Sequence, residues 1–213
     1  MLSRLKYGLA NHLRDNIGVY FFIVILFIVG VIFGALAVKA LNEQQKSELI
    51  QYLRIFFNEI SRDQSLPGHE VARQAIFNNL KITLLVWGLG LTVIGIPVIL
   101  VITFTRGFVL GFTVGFLVYE MAWKGILFSI LAVLPHNLIS IPTIVIICVT
   151  GLSFSLQLIR NKIFKKGSVK MAPQFWSYTF FFSIMGAVLI AASLVEAYIT
   201  PVFIRLLSGL MLS

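Results

Sequence analysis

Long apolar runs separated by short polar stretches dominate the chain. A helix needs about 20 mainly apolar residues to cross a bilayer, and several runs reach or approach that length. These runs are residues 17–38, 82–105, 107–123, 138–158 and 176–199. The pattern predicts an all-α protein, a polytopic transmembrane helical bundle with about five spanning helices and a single integral membrane domain over residues 1–213.

Glycines recur inside these runs at a spacing that places them on one helix face. Gly107, Gly111 and Gly115 follow one another at intervals of four residues, and Gly30 and Gly34 repeat that interval in the first run. Glycines at this spacing let two membrane helices approach closely. We therefore predict that all five are helix-packing positions, within one chain or between two copies, so a homo-oligomer is compatible with the pattern.

The first run has an alternative interpretation as a cleaved signal peptide. It follows a basic segment and contains Ala35-Leu36-Ala37, which is similar to a signal-peptidase site. The apolar core of a signal peptide is normally only about 7–15 residues long, whereas residues 17–38 carry no charge over their whole length. The sequence therefore favours an uncleaved membrane anchor.

Basic residues in short loops indicate which loops face the cytoplasm. Residues 159–173 hold five basic residues and no acid, and the N-terminus is also basic. Together with Arg106, this predicts a cytoplasmic N-terminus, a cytoplasmic loop over 159–173 and an external C-terminus. Residues 39–81 then form an external loop, although they contain six basic residues spread among five acids.

The external loop has the pattern of amphipathic helices, separated by a Pro-Gly pair at 67–68. Asn42 and Gln45 have the spacing of a capping box at the start of the first helix. One interpretation is a helical pair folded against the bundle or lying among the outer lipid headgroups. The other, compatible with it, is a docking surface for an external partner, with Tyr52, Phe56 and Phe57 as anchors.

Composition narrows the classes of function. Hydrophobic residues make up 59% of the chain, charged residues make up 12%, and the formal net charge is +9. Because most of the chain is too apolar to reach water, this positive charge suits anionic membrane lipids and not nucleic acid. The single cysteine, Cys148, permits no internal disulfide.

Residues with catalytic or metal-binding chemistry are few and scattered. His12, His69 and His136 are far apart in sequence, and Glu120 and Glu196 lie near the ends of predicted spans. No glycine pattern of a nucleotide-binding loop follows a strand. We therefore expect no catalytic, cofactor-binding or metal-binding residues, and a protein that is not an enzyme.

One polar motif lies where the third predicted span turns into the fourth. Pro135 suits a helix start, and His136 or Asn137 would cap the exposed amides. One interpretation is a capped turn, and the other is a re-entrant kink that lines a small polar cavity, as at transporter substrate sites. A small transporter or channel-like protein would need such a lining, to which Ser140 and several threonines would add.

Six runs spread over nearly the whole chain form a set: G-F-V-L-G-F-T-V-G-F-L-V from Gly107, L-P-H-N-L from Leu134, G-V-I-F-G from Gly30, Y-L-R-I-F-F from Tyr52, F-S-L-Q-L-I-R from Phe154 and E-A-Y-I-T-P from Glu196. Together these runs resemble the stage II sporulation protein M family of endospore-forming bacteria. The broader family often has Pro-His-Gly followed three residues later by Glu. Asn137 and Ser140 occupy those places here, which removes an intramembrane carboxylate.

The resemblance implies a non-enzymatic role in the mother-cell membrane at the sporulation septum. In that family the protein works with stage II sporulation proteins D and P, which cut peptidoglycan, and it is taken to localise this hydrolase complex during engulfment. The resemblance supplies no catalytic residues. The alternative function, a small transporter or channel-like protein, stays open on the sequence.

Overall fold

A computed structural model describes residues 16–61, 68–163 and 171–198, together with residue 202. Helices account for almost all of this part, and none of it is a β-strand. The helices are α1 (Ile17–Ala37), α2 (Glu43–Ser61), α3 (Gly68–Gly90), α4 (Gly95–Phe128), α5 (Leu134–Ile163) and α6 (Met171–Tyr198). A 3₁₀ turn, Val38–Ala40, extends α1, and a π-helical segment, Ser129–Val133, joins α4 to α5.

Three stretches of the described chain are long and apolar enough to cross a membrane. They are Ile17–Ala40, Gly95–Asn161 and Pro173–Tyr198. The second contains 67 residues and includes both α4 and α5. α3 is less apolar because it includes polar residues such as Arg73 and Lys81. The chain therefore has the build of a helical membrane protein.

The long middle stretch folds back on itself at Ala122. This residue has φ 46° and ψ −120°, and it is the one described non-glycine residue with a positive φ. Beyond it, Gly125 packs so closely on the Leu117 carbonyl that a Cβ there would overlap the oxygen. Glu120 and Lys124 are four residues apart but form no ion pair among the described contacts, because the helix breaks between them at Ala122.

The turn between α3 and α4 corrects the predicted span boundaries. Residues 91–94 leave the helical conformation, and the Thr92 N–H donates to the Leu89 carbonyl at 2.9 Å. The predicted run 82–105 is therefore divided between two helices. Arg106, which we placed at the boundary before the run 107–123, lies inside continuous α4 instead. Hydropathy alone does not register a tight turn whose residues are themselves mostly apolar.

α1 and α4 run parallel to each other. Gly30 packs against Gly107, and Ala35, further along α1, packs against Gly115, further along α4. Because α1 and α4 point in the same direction, the chain has to cross the bundle in the opposite direction after α1 and before α4. α3 makes this return, after the segment that contains α2.

α3 and α5 both run opposite to α6. Asn79 donates to the Ser193 hydroxyl at 2.8 Å, and the Trp87 indole N–H donates to the Thr179 hydroxyl at 3.2 Å. Residue numbers rise along α3 while those of the contacting residues on α6 fall, so these two helices are antiparallel. The contacts of α5 with α6 show the same order. The long segments therefore alternate in direction along the chain.

The main buried core lies where α3, α4, α5 and α6 meet. Val86, Ile99, Ile147 and Leu189 are among its fully or almost fully buried side chains. A second, smaller cluster lies near the turn at Ala122, where Leu53 of α2 packs on residues of α4 and the π-helical segment. We call this end of the bundle the α2 end.

Candidate functional site

The five predicted packing glycines meet at a single contact, which we call the glycine seam. Gly30 and Gly34 of α1 lie against the face of α4 that carries Gly107, Gly111 and Gly115. A Cβ added to any seam glycine other than Gly115 would overlap backbone atoms of the opposite helix. A Cβ on Gly115 would lie 2.9 Å from the Ala35 Cα of α1. Because backbone cannot move aside as a side chain can, the seam depends on glycine.

A ladder of phenylalanines lies beside the seam on α4. Phe108, Phe112 and Phe116 each follow a seam glycine, and the ring centroids of successive members are 6.2 Å and 6.3 Å apart. The rings are nearly parallel, with interplanar angles of 16° and 5°. The repeated Gly-Phe pairs thus give α4 a narrow face for backbone contact and an adjoining aromatic face.

The start of α2 confirms the predicted capping box. The Gln45 N–H donates to the Asn42 side-chain oxygen at 2.8 Å, and the Asn42 N–H donates to the Gln45 side-chain oxygen at 3.1 Å. One turn later, Lys46 lies 3.2 Å from Glu43 and 5.0 Å from the centroid of the Tyr119 ring. Hydrogen bonds to Glu43 and then to Tyr119 raise the pKa of Lys46. These contacts and Leu53 hold α2 on the bundle.

Tyr52 is the one residue of the predicted partner surface whose side chain the structure describes. Tyr52 is 72% exposed, and Ile55 is also exposed. Phe56 and Phe57 belong to the same helix, but their side chains lie outside the described part of the structure. The described residues therefore present an aromatic and an aliphatic side chain away from the bundle.

An apolar groove of about 820 Å³ lies beside the glycine seam and extends toward the α2 end. Its walls come from α1, α4, the π-helical segment and the first turns of α5. Small residues line part of it, namely Ala35, Gly111 and Gly115. The polar lining residues, Ser129 and Asn137, each donate to the backbone carbonyl four residues earlier. The groove therefore suits an apolar occupant.

The Pro-His-Asn motif does not form the predicted capped turn. Pro135 is the second residue of α5, which continues directly from the π-helical segment. The Asn137 side chain donates to the Val133 carbonyl at 2.7 Å and does not cap an amide. His136 instead contacts α6. A helix that continues from a preceding helical turn has no exposed N-terminus for these residues to cap.

His136 is the centre of a polar cluster between α5 and α6. Its Nδ1 lies 3.3 Å from Glu196 Oε2 and 3.2 Å from Ser140 Oγ. The Arg106 guanidinium of α4 also interacts electrostatically with Glu196. Ser140 stands where the broader family often has glutamate. A carboxylate still lies beside the motif, because Glu196 of α6 supplies it.

Sequence reasoning missed this cluster because its members come from three helices, and no periodicity links positions 60 residues apart. The available signal was an acid in an apolar run, since an intramembrane acid is a functional candidate by default. The arrangement is not a serine–histidine–acid triad, which uses both ring nitrogens. Here Ser140 and Glu196 contact the same nitrogen of His136.

Three threonines that were candidates to line a polar pathway form hydrogen bonds within their own helices. Thr103, Thr113 and Thr143 each donate to the carbonyl four residues earlier, at 2.9, 2.8 and 2.7 Å respectively. Hydroxyls engaged in this way do not form a continuous polar lining. Over residues 16–61, 68–163 and 171–198, no group of three or more His, Cys, Asp or Glu side chains is arranged to hold a metal ion.

Comparison with known proteins gives one family. A family model described as stage II sporulation protein M matches residues 23–201. No curated protein and no solved structure matches the chain. The matched range includes the glycine seam, α2, the groove and the polar cluster.

Proposed function

The chain belongs to the stage II sporulation protein M family, and from that premise we propose that it is a non-enzymatic membrane scaffold. Its role is to localise a septal peptidoglycan-hydrolase complex during engulfment. The partners implied by the family resemblance are stage II sporulation proteins D and P. The apolar groove beside the glycine seam is the observation that carries this proposal.

The proposed topology has five passes, with the N-terminus in the cytoplasm. α1, α3, α4, α5 and α6 alternate in direction, and the basic loop 159–173 lies on the cytoplasmic side under the positive-inside rule. α3 is the least apolar of the passes, and its packing on α5 and α6 compensates for its polar residues. This topology puts α2 on the external side, where the hydrolases act.

The groove is proposed to receive the single transmembrane helix of a hydrolase. Aliphatic residues such as Val114, Ile130 and Leu138 line it, and membrane helices associate largely through van der Waals packing of such surfaces. The rest of the lining is apolar apart from Ser129 and Asn137, each of which donates to a backbone carbonyl four residues earlier. Tyr52 of α2, at the same end, is proposed to contact the partner just outside the membrane.

The test is affinity recovery of the chain from membranes of sporulating cells, with brief cross-linking and mass spectrometry. We expect peptidoglycan hydrolases with single membrane anchors to be recovered reproducibly. The control is an unrelated multi-pass protein with the same tag and the same abundance in the same cells. Recovery of no hydrolase, while the chain is intact and at the septum, would contradict the scaffold function.

A further inference from the structure

The apolar groove lies in one half of the bundle, the half at the α2 end. On α1 it is lined by Val31 and Ala35, in the second half of Ile17–Ala40, and on α4 by residues between 110 and 118, shortly before the turn at Ala122. At a helical rise of about 1.5 Å per residue, the α4 wall is about 12 Å long. The hydrocarbon core of a bilayer is about 30 Å thick, so the groove walls on α1 and α4 cover less than half of its depth.

Toward the opposite end, α1 packs onto the rest of the bundle. Ile23 of α1 is fully buried and belongs to the main buried core, together with Ile147 and Leu152 of α5. Val19, one turn earlier on α1, packs against the same core. Among the described residues, none of 17–30 lines the groove. The core thus joins α1 and α5 in this half, whereas the groove lies between them in the half at the α2 end.

Two irregularities of the helical wall lie along the groove. Pro142, the lining residue furthest along the chain, is inside α5, and the segment Ser129–Val133 is π-helical. Proline removes a helical hydrogen bond, and prolines and π-helical segments are the usual places at which helices bend. A bend of α5 at these positions accounts for a groove on one side of Pro142 and for a core contact on the other side, at Ile147.

On the basis of the proposed scaffold function, we propose that the chain selects a hydrolase anchor through only one half of the anchor helix. This is the half at the α2 end, which lies in the outer leaflet in the proposed topology, and we call it the outer half. There the anchor contacts walls from α1, α4 and α5. The inner half contacts lipid and the outside of the bundle. Lipid tails are as apolar as leucine, so apolar side chains gain little by exchanging lipid for an exposed helix surface.

The lining of the groove determines which outer half it accepts. Ile130 and Leu138 present exposed aliphatic side chains to it. The donors of its polar lining residues, Ser129 and Asn137, are already engaged by backbone carbonyls. A polar side chain on the anchor would therefore be buried with few partners, which is unfavourable. The selected segment is an apolar stretch of about ten residues, the length of helix that crosses half of the hydrocarbon core.

The test replaces parts of the anchor helix. The probe is a tagged, full-length stage II sporulation protein D, one of the two implied partners, in which polyleucine replaces the outer half, the inner half or the whole anchor. Each probe is produced at equal abundance with the full chain in sporulating cells and recovered with it after brief cross-linking. We expect replacement of the outer half to lower recovery several-fold, as much as replacement of the whole anchor, and replacement of the inner half to leave recovery unchanged.

A groove variant shows whether the outer half acts through the groove. Leu138→Trp fills the groove at a position that is 69% exposed, and Val101→Trp, at a position 62% exposed in the other half of α4, is the control. We expect Leu138→Trp to lower recovery of the intact probe several-fold and to add no further loss when the outer half is polyleucine. Val101→Trp is expected to change neither recovery. Independent, additive losses from Leu138→Trp and the outer-half replacement would overturn the proposal.

The outcomes separate this proposal from the scaffold function. Equal losses from replacement of either half, or a loss from the inner half alone, would overturn selection by the outer half and leave the scaffold function standing. Recovery that survives replacement of the whole anchor would overturn both the selection and the docking of an anchor in the groove, which a lipid or a second copy of the chain would then fill. Failure to recover the intact probe would contradict the scaffold function itself, and this proposal with it.

Discussion

The glycine seam and the α3–α6 contact hold membrane helices together by different forces. The seam brings the backbones of α1 and α4 together at residues that have no side chains to hydrogen-bond. The α3–α6 contact uses side-chain bonds, such as Asn79 to Ser193 and Trp87 to Thr179. Close packing is intolerant of added volume, whereas interhelical hydrogen bonds in membranes each contribute only about 0.6 kcal/mol on average. The seam is therefore the more sensitive of the two to substitution.

Leucine in the seam is expected to give the largest effect. Gly111→Leu places a side chain where even a Cβ would overlap the Val31 carbonyl, so α1 has to move away from α4. We expect a loss of about 3 kcal/mol or more, at or beyond the upper end of ordinary overpacking. The measurement is the thermal midpoint in detergent, followed by size-exclusion chromatography. Gly88→Leu is the control, because nothing lies within 4 Å of a Cβ there, and equal losses in both variants would refute the seam's role.

Addition of a single methyl group is expected to change stability differently at the seam and at the α3–α6 contact. Gly111→Ala in the seam is expected to cost about 1–2 kcal/mol, as overpacking outweighs the better helix propensity of alanine. Gly186→Ala, at the α3–α6 contact, meets only a Thr83 methyl carbon at 3.7 Å, so it is expected to be neutral or stabilising. Chemical denaturation of both variants in the same detergent measures the difference. A more stable Gly111→Ala would contradict the account.

Loss of a hydrogen bond at the α3–α6 contact is expected to lower stability by a smaller amount. Asn79→Leu removes the bond to Ser193 but keeps the size of the side chain, and we expect a loss of about 0.6 kcal/mol, with about 1.7 as the upper limit. A double-mutant cycle with Ser193→Ala isolates the pairwise term. A coupling energy near zero would show that the bond does not stabilise the contact.

Filling the groove is expected to leave stability almost unchanged and to reduce partner binding. Ile130 is 49% exposed on the groove wall, and Val101 is 62% exposed on α4 outside the groove. Ile130→Trp should leave the thermal midpoint as it is and lower hydrolase recovery several-fold, whereas Val101→Trp should change neither. Unchanged recovery with Ile130→Trp would argue against the groove as the docking site.

The sequence was informative where a local spacing has one physical meaning. The capping box of Asn42 and Gln45 is such a case, because its two bonds join residues three positions apart. The glycine interval indicated a packing face, but it did not indicate which helix would lie on it. The turn at 91–94 was missed because apolar residues surround it, whereas the predicted end of the third run at residue 123 lies next to the break at Ala122. The contact of His136 with Glu196 follows from the tertiary fold, which no interval in the sequence encodes.

The most direct test of the scaffold function is photo-crosslinking from the groove in living cells. A benzophenone amino acid is introduced at Ile130 in one strain and at Val101 in another, and sporulating cells are irradiated. We predict adducts with single-anchor peptidoglycan hydrolases from position 130 and none from position 101. Adducts of equal yield from both positions, or lipid adducts alone from position 130, would contradict the claim that this groove holds the hydrolase anchor.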